Sequence, residues 1–201
     1  MISDRDFFVV EPAEGSLLND VFADEHDLYL EIGSGKGEFI SRYPISHPEW
    51  NFIGIEMSEK RIQNCLRKLS VDRNPNVRLI RRYVDAQISG WFSKASLSGV
   101  FIQHPDPWPK RRHHRRRLIQ QDFLDALADV LKHKAQVQVS TDHAEYANWI
   151  LEEFLQNPHF SSLQDDPIQM HPNLDDHIVT WFEEEQKRQG YHPHFMLFER
   201  I

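Results

Sequence analysis

The sequence predicts an α/β fold: a doubly wound, mostly parallel sheet in a single domain. Three observations indicate this class. Short β-prone runs alternate with segments whose apolar residues recur at helical spacing, and a glycine cluster follows the first run. The chain has 201 residues, enough for one sizeable core rather than two. In such a sheet ligands bind beyond the carboxyl ends of the strands, so the site is expected in the loops there.

The chain divides into an acidic leader, residues 1–27, and the α/β domain, residues 28–201. The leader holds eight acidic side chains and one arginine, and it has few periodic apolar positions. We expect it to lie on the core of the domain. The rest of the chain contains no internal repeat and no linker to a second domain.

Six β-prone runs predict the strands. The first stops at the glycine cluster, the fourth leads into the sequence HPDPWP, and the fifth ends at Thr141 and Asp142. The runs cover residues 28–32, 51–55, 77–80, 100–103, 137–140 and 194–201. Beyond Phe160 the chain is expected to be irregular until the last helix.

Five segments predict helices. The first follows the glycine cluster, Ser58 caps the second, the third begins at Leu118, and the last lies around residues 180–190. The core-facing residues of the first four are Phe39 and Ile40; Ile62, Cys65, Leu66 and Leu69; Phe123, Ala126, Leu127, Val130 and Leu131; and Tyr146, Trp149, Ile150 and Phe154. Cys65 is the single cysteine, so no intramolecular disulfide is possible.

Charge limits the functional classes. The chain carries 23 Lys and Arg against 31 Asp and Glu, a net charge of −8, yet six of the basic residues lie within the run KRRHHRRR at residues 110–117. A dense basic segment in an acidic chain indicates binding of a polyanion. No apolar run is long enough to span a bilayer and the start of the chain lacks a signal peptide, so we expect a cytoplasmic protein without a membrane partner.

The glycine cluster and two glutamates predict a nucleoside cofactor. Gly33, Gly35 and Gly37 let the backbone approach a ligand closely. Glu56 ends the second strand, where an acid commonly accepts hydrogen bonds from ribose hydroxyls. Glu31 would repel a pyrophosphate but suits a ligand that carries an ammonium and a sulfonium group. These features favour S-adenosylmethionine.

Alternatives exist for parts of this site. Glu38 occupies the place of the third glycine in the dinucleotide fingerprint, and a glycine-rich turn can also serve only a tight connection between strand and helix. Asp85, after the third strand, is the candidate for binding the adenine amino group. A turn or cap aspartate would have the same position in the sequence.

Asp106 is the predicted catalytic residue. Pro105 and Pro107 restrict the backbone on both sides of it, so its carboxylate is presented from a stiff turn, and Trp108 offers a face for stacking a base. Guanine N7 is a nucleophile that carries no proton. Its methylation therefore requires alignment, and an anion near the growing positive charge, more than a general base. Asp106 could also accept hydrogen bonds from N1–H and the exocyclic amine of guanine, which adenine does not offer.

Lys110 and the arginines after it are expected to bind phosphates, with an affinity that falls steeply with salt. A solvated basic face or a localisation tract would have the same composition. His113 and His114 are crowded by arginines and make a poor cation site, so we expect no metal.

These motifs resemble the bacterial tRNA (guanine-N7)-methyltransferases, S-adenosylmethionine enzymes that modify a guanine in the tRNA variable loop. The resemblance covers residues 28–201 and lies in EIGSGKGEF, NFIGIE, PDPWPKRRHHRRRL, STD and TWFEEEQKRQG. The PDPWPK segment with its basic continuation is the most specific. The resemblance implies a Rossmann-like class I methyltransferase fold and tRNA as the partner, and it leaves monomer and homodimer open.

The resemblance also implies roles for individual residues. Glu31, Glu56 and Asp85 would bind the cofactor together with the three glycines, and Asp106 would serve both cofactor and catalysis. The residues assigned to the substrate are Lys110, Asp142, Thr180, Trp181, Phe182 and Glu183. Asp142 could instead cap a helix, and TWFE also matches a capping box at the start of one.

Two features depart from the family pattern. Members commonly begin with a Lys/Arg-rich arm, whereas the leader here is acidic. Docking of tRNA is therefore expected to use residues 110–117 together with Arg78, Arg81 and Arg82. His104 stands where an aromatic or small residue is usual before PDPW, and the sequence offers no reason for it.

Three other functions are compatible with parts of the sequence. PDPW also resembles the Asp-Pro-Pro-aromatic loops of enzymes that methylate the amino groups of adenine or glutamine. A non-catalytic RNA-binding module would keep the basic run, and a nicotinamide oxidoreductase would keep the glycine cluster. Methylation of guanine N7 in tRNA is the leading hypothesis.

Overall fold

A seven-stranded sheet carries the fold in the computed structural model, which describes residues 4–11 and 15–201. Its strands are β1 (Asp27–Ile32), β2 (Trp50–Ile55), β3 (Val77–Ile80), β4 (Leu97–Gln103), β5 (Leu131–Thr141), β6 (Phe160–Ser162) and β7 (His194–Arg200). The strand order is β3-β2-β1-β4-β5-β7-β6. Strands β1 to β5 are parallel, and β7 pairs antiparallel with both β5 and β6. The predicted doubly wound, mostly parallel sheet is confirmed.

Helices connect the strands and cover the sheet. Within the described ranges they are α1 (Asp4–Phe8), α2 (Glu38–Arg42), α3 (Glu59–Leu66), α4 (Gln121–Val130), α5 (Ala144–Gln156) and α6 (Trp181–Arg188). The five predicted helices are all present, as α2 to α6. No helix in the described part of the chain is long and apolar enough to cross a membrane.

Several boundaries differ from the prediction: α4 begins at Gln121 rather than Leu118, and β4 begins at Leu97 rather than Val100. Leu131 was expected to end α4 but begins β5, whose first half contains Lys134 at a φ of +66° and pairs irregularly with β4. The segment Phe160–Ser162, expected to be irregular, is a strand because β7 pairs with it. Helix α3 ends at Leu66, so Leu69 is buried from the turn that follows it. The boundaries of β5 and β6 depend on strand partners distant in sequence, which local apolar spacing does not reveal.

The core lies on both faces of the sheet. Leu28, Leu30 and Ile32 of β1 belong to the larger apolar cluster, together with residues of α4 and α5. Phe52 of β2 and Phe101 of β4 belong to the second cluster, with residues of α2 and α3. Because side chains alternate along a strand, the two clusters occupy opposite faces.

The described part of the leader contacts both clusters. Phe8 is fully buried in the second cluster, and the Val10 N–H donates to the Leu79 carbonyl of β3 at 2.9 Å. Leu18 is fully buried in the first cluster, and its N–H donates to the Trp91 carbonyl at 2.8 Å. These contacts place leader residues against the same sheet that carries the glycine turn.

Candidate active site

The chain leaves β1 through a turn, residues 33–37, whose three glycines all have left-handed backbone angles. The φ values are +81° at Gly33, +55° at Gly35 and +83° at Gly37, a range that L side chains rarely adopt. A Cβ atom at Gly37 would lie 2.8 Å from the Cα atom of Cys65 on α3. At Gly33, no described heavy atom lies within 4 Å of the place a Cβ atom would take. The turn is therefore packed tightly on one side and open on the other.

Glu31 lies buried at the end of β1, just before this turn. Glu31 is only 2% exposed, and its Oε2 atom has no hydrogen-bond partner among the described residues. The same holds for the buried hydroxyl of Ser34. Burial, reinforced by the nearby carboxylates of Glu56 and Glu38, raises the pKa of Glu31 to about 8. A buried acid without a partner would be stabilised as a carboxylate by a ligand that brings a positive charge.

Glu56, after β2, ties the glycine turn to the start of α3. Its Oε2 atom accepts from the Gly35 N–H at 3.0 Å, and its Oε1 atom accepts from the Ser58 N–H at 2.8 Å. The guanidinium of Arg61 lies 3.6 Å from Oε2. Ser58 is the N-cap residue of α3, as predicted, but its side chain makes no capping hydrogen bond. The carboxylate of Glu56 performs part of that task because it accepts from a backbone N–H at the helix start.

An open cleft of about 590 Å³ joins the glycine turn to the PDPW loop. Gly33 and Glu56 line one end, and Asp106 and Trp108 line the other. The fold thus brings together predicted residues that are up to 75 positions apart, since Gly33 and Trp108 follow the neighbouring parallel strands β1 and β4. Asp106 is exposed at the cleft, where its carboxylate can reach a ligand.

The PDPW loop is held in an uncommon backbone conformation. His104, before Pro105, has a φ of +50°, and Trp108 has a φ of +42°. Residues other than glycine seldom adopt this region, and such strain concentrates at functional sites. The His104 N–H donates to the Ser140 carbonyl at 2.8 Å, which anchors the start of the loop to β5. The stiff presentation of Asp106 is consistent with the sequence prediction.

The basic run turns its first residues toward solvent. Residues Arg111–Arg116 form a short 3-10 helix, and Lys110 before it is exposed. Arg115 and Arg116 line the cleft, and the guanidinium carbon of Arg116 lies 5.0 Å from the centroid of the Trp108 ring. This segment presents several cations beside the exposed carboxylate of Asp106, an arrangement suited to phosphates that flank a bound base.

Arg117, the last residue of the run, is buried, unlike the exposed arginines before it. Its side chain is 0% exposed, and its Nε atom donates to the Pro107 carbonyl at 2.9 Å. Its two terminal nitrogens donate to the Glu145 carboxylate at 3.2 and 2.5 Å. The guanidinium also lies 4.9 Å from the Tyr146 ring and 4.8 Å from the Trp149 ring. The expectation that every arginine of the run binds phosphate is wrong here, because Arg117 braces the PDPW loop against α5.

The start of α6 reaches both loops of the cleft. The Trp181 ring lies beneath the ammonium of Lys36 in the glycine turn, 2.9 Å from its nitrogen to the ring centroid. The Phe182 ring lies 5.0 Å from the ring of His104. Neither Lys36 nor His104 had a role predicted from the sequence, and no local pattern indicates these contacts.

Thr180 and Glu183 form only half of the predicted capping box. The Thr180 hydroxyl accepts from the Glu183 N–H at 3.1 Å, as predicted. The Glu183 carboxylate does not return to the start of the helix but pairs with His177 at 2.8 Å and with Lys187 at 2.7 Å. Burial would raise the pKa of Glu183, but these two partners hold it below its usual value. Glu183 is 1% exposed, so a direct contact with substrate would require its ion pairs with His177 and Lys187 to open.

For Asp85 and Asp142 the sequence left helix or turn capping open beside ligand binding, and the structure shows which of the two caps. The Asp85 carboxylate accepts from the Gln87 N–H at 2.8 Å, so it caps a short turn, and it does not line the cleft. Its role with adenine stays a prediction. Asp142 does not cap α5, because the cap is His143, whose Nδ1 atom accepts from the Tyr146 N–H at 3.2 Å. Among the described residues, no cluster of His, Cys, Asp and Glu could hold a metal ion.

Comparison with known proteins identifies the family. Residues 25–196 match a family model described as "Putative methyltransferase". The tRNA (guanine-N(7)-)-methyltransferase of Caulobacter sp. (strain K31) is 35% identical over 183 residues, which cover 90% of this chain and 79% of that protein. The corresponding protein of Nitrosomonas europaea is 40% identical over 134 residues, 67% of this chain and 60% of that protein.

Among solved structures, an rRNA methylase from Streptococcus thermophilus has a TM-score of 0.58 at 11% identity and covers 89% of each chain, which is a likeness of fold. By its sequence relatives and its family model, the chain belongs to the bacterial tRNA (guanine-N7)-methyltransferase family.

Proposed function

We propose that this protein transfers the methyl group of S-adenosylmethionine to N7 of a guanine in the variable loop of tRNA. One observation carries the proposal: Asp106 lines the same cleft as Gly33 and Glu56, together with Arg115 and Arg116. The cleft thus has one end suited to a nucleoside cofactor and another suited to a nucleotide. The family relationship supports the same reaction.

The residues at the glycine end fit S-adenosylmethionine. The unpaired Oε2 atom of Glu31 and the hydroxyl of Ser34 are buried polar atoms that an ammonium group would satisfy. The open space at Gly33 admits a ligand close to the backbone, and Glu56 could exchange a backbone partner for ribose hydroxyls. When bound, the cofactor supplies an electrophilic methyl group on a sulfonium.

Asp106 would act on the guanine in two ways. Its carboxylate can accept hydrogen bonds from N1–H and the exocyclic amine, which orients N7 and discriminates against adenine. It also places a negative charge near the purine as the ring becomes cationic, and a charge fixed in advance by the strained loop needs little reorganisation. Guanine N7 forms its new bond with a lone pair, so no general base is required.

The basic segment and Trp108 would hold the nucleotide. The exposed cations from Lys110 to Arg116 can contact phosphates, and the indole of Trp108 offers a stacking face. In an A-form duplex N7 lies in a deep, narrow groove, so the target base must be in a loop or splayed out. We place this activity in the cytoplasm, where tRNA is processed. The single, buried cysteine, Cys65, forms no disulfide and fits a reducing compartment.

The test is labelled methyl transfer from S-adenosylmethionine into unmodified tRNA. A matched tRNA carries 7-deazaguanine at the variable-loop guanine, and a second matched tRNA carries 7-deazaguanine in the anticodon stem. We expect transfer into the unmodified and stem-substituted tRNAs and none into the loop-substituted one. Asp106→Asn should lower kcat by about 100-fold, because the fixed anion is lost.

Equal transfer into all three tRNAs would exclude N7 of that guanine as the acceptor. A product without a fixed positive charge would instead support methylation of an amino group. Binding of tRNA with no transfer in the presence of S-adenosylmethionine would support a non-catalytic RNA-binding module.

A further inference from the structure

His104, which directly follows β4, occupies a restricted site. Its side chain is 6% exposed, and its backbone has a φ of +50°. Histidine tolerates this backbone region better than most residues do, although asparagine and glycine tolerate it at least as well. The backbone therefore permits a histidine at this position but does not require an imidazole. The reason for a histidine at this position must therefore lie in the contacts of its side chain.

One edge of the His104 imidazole lies beside Asp142. The Nδ1 atom of His104 lies 3.8 Å from Oδ1 of Asp142, and Nδ1 is buried without a hydrogen-bond partner among the described residues. A buried nitrogen without a partner is unfavourable, and a small movement of either side chain would form a hydrogen bond between them. Burial would raise the pKa of Asp142, but the neighbouring rings of His104 and His143 hold it below its usual value. Asp142 is thus an anion that faces His104.

The imidazole also meets the start of α6. The centroids of the His104 and Phe182 rings are 5.0 Å apart, with the ring planes inclined at 54°. Phe182 is 39% exposed, so part of its ring faces solvent. His104 itself lines the cleft beside Pro105 and Asp106. It is therefore the point at which the PDPW loop, the end of β5 and the start of α6 touch one another.

We propose that His104 is a positioning residue for the target guanosine. It donates from Nδ1 to one oxygen of Asp142, which leaves the other oxygen free to accept from the nucleoside, whereas its contact with Phe182 is packing. The inference rests on the proposed function and deepens it. Two segments distant in sequence, the PDPW loop and the end of β5, would then adopt a fixed arrangement around one nucleotide, through a side chain that does not react.

Two substitutions separate this role from packing. His104→Phe keeps a ring against Phe182 but removes the donor. His104→Asn places an amide donor at the position of Nδ1 and tolerates a positive φ, but removes the ring. In steady-state methyl transfer to tRNA, we expect kcat/KM to fall roughly tenfold for His104→Phe, mainly through KM for tRNA, and to stay within about threefold of wild type for His104→Asn. The reverse order would mean that the ring only fills space and would overturn the proposal.

A double-mutant cycle with Asp142→Ala tests the pairing directly. The loss caused by His104→Phe should disappear when Asp142 is already alanine, because the acceptor is then absent and neither the single nor the double variant can form the interaction. An equal tenfold loss in both backgrounds would overturn the inference. Affinity for S-adenosylhomocysteine, measured by calorimetry, should be the same for all variants. If His104→Phe does not fold, His104→Gly, which relieves the positive φ, takes its place in the cycle.

The outcomes distinguish the two proposals. Wild-type protein that transfers no methyl group to tRNA overturns the proposed function and this inference with it. Wild-type activity with additive losses in the cycle overturns only the role of His104.

Discussion

Arg116 and Arg117 are neighbours in the same basic run, yet their side chains have opposite environments. Arg116 is exposed at the rim of the cleft beside Trp108, whereas the side chain of Arg117 is completely buried between α5 and the PDPW loop. One is available to a phosphate and the other holds the carbonyl of Pro107. A count of basic residues therefore overstates the RNA-binding surface, since part of the charge stabilises the loop that presents Asp106.

A similar contrast, between a partly buried and an exposed arginine, occurs near β3. Arg78 donates to the carbonyls of Pro75 and Val77 and lies 4.2 Å from the Phe7 ring, and partial burial lowers its pKa. Arg81 is 58% exposed and pairs only loosely, at 3.6 Å, with Glu59. Of these two arginines, both expected to dock tRNA, Arg81 is the more exposed, although its Nε atom donates to the Met57 carbonyl at 3.4 Å, whereas Arg78 packs against the Phe7 ring of the leader.

The largest effect is expected from Arg117→Met. The Pro107 carbonyl and the Glu145 carboxylate would both lose a donor, so the free energy of unfolding should fall by roughly 3 kcal/mol. Urea denaturation measures this, with Arg116→Met as the matched control. The dependence of tRNA affinity on salt should not change for Arg117→Met. A variant of normal stability whose salt dependence is weaker would show that Arg117 contacts phosphate after all.

A smaller effect, of another kind, is expected from Arg116→Ala. Removal of an exposed cation beside the cleft should weaken tRNA binding roughly tenfold and reduce the slope of log affinity against log salt by about 1. The free energy of unfolding should change by no more than about 0.5 kcal/mol. Filter binding at several salt concentrations gives the slope. A normal slope together with lower stability would remove the distinction between the two arginines.

The smallest effect is expected from Glu145→Gln, which weakens the pair with Arg117 from its more exposed side. The side chain of Glu145 is 53% exposed, so solvent screening limits the loss to roughly 0.5–1 kcal/mol at pH 7. The hydrogen bond from Arg117 holds the pKa of Glu145 below its ordinary value of 4.5.

The sign of the pH dependence follows from that lowered pKa. The contribution of Glu145 is fully present above the pKa of the unfolded chain and is lost as the pH falls through the lower pKa of the folded protein. The difference in stability between wild type and Glu145→Gln should therefore shrink between pH 5 and pH 3, by roughly the amount seen at pH 7. A difference that grows on acidification would contradict the pairing.

The sequence by itself determined the features that depend on a few adjacent residues. The alternation of β-prone and helical runs predicted the sheet and helices α2 to α6, the glycine cluster predicted a turn after β1 that a ligand can approach closely, and Pro105 and Pro107 predicted a stiff loop around Asp106. Each follows from local backbone geometry or from side-chain periodicity, which neighbouring residues express without reference to the rest of the chain.

Only the tertiary structure decided which side chains meet across the sheet. Strand β6 exists because β7 pairs with it, and Arg117 is buried because Glu145 on α5 lies opposite. The contacts of Lys36 with Trp181 and of His104 with Phe182 arise because α6 lies over the ends of β1 and β4. Such partners are separated by many residues, and whether a charge or a ring is buried or exposed depends on the surface that comes to lie against it, which no local pattern encodes.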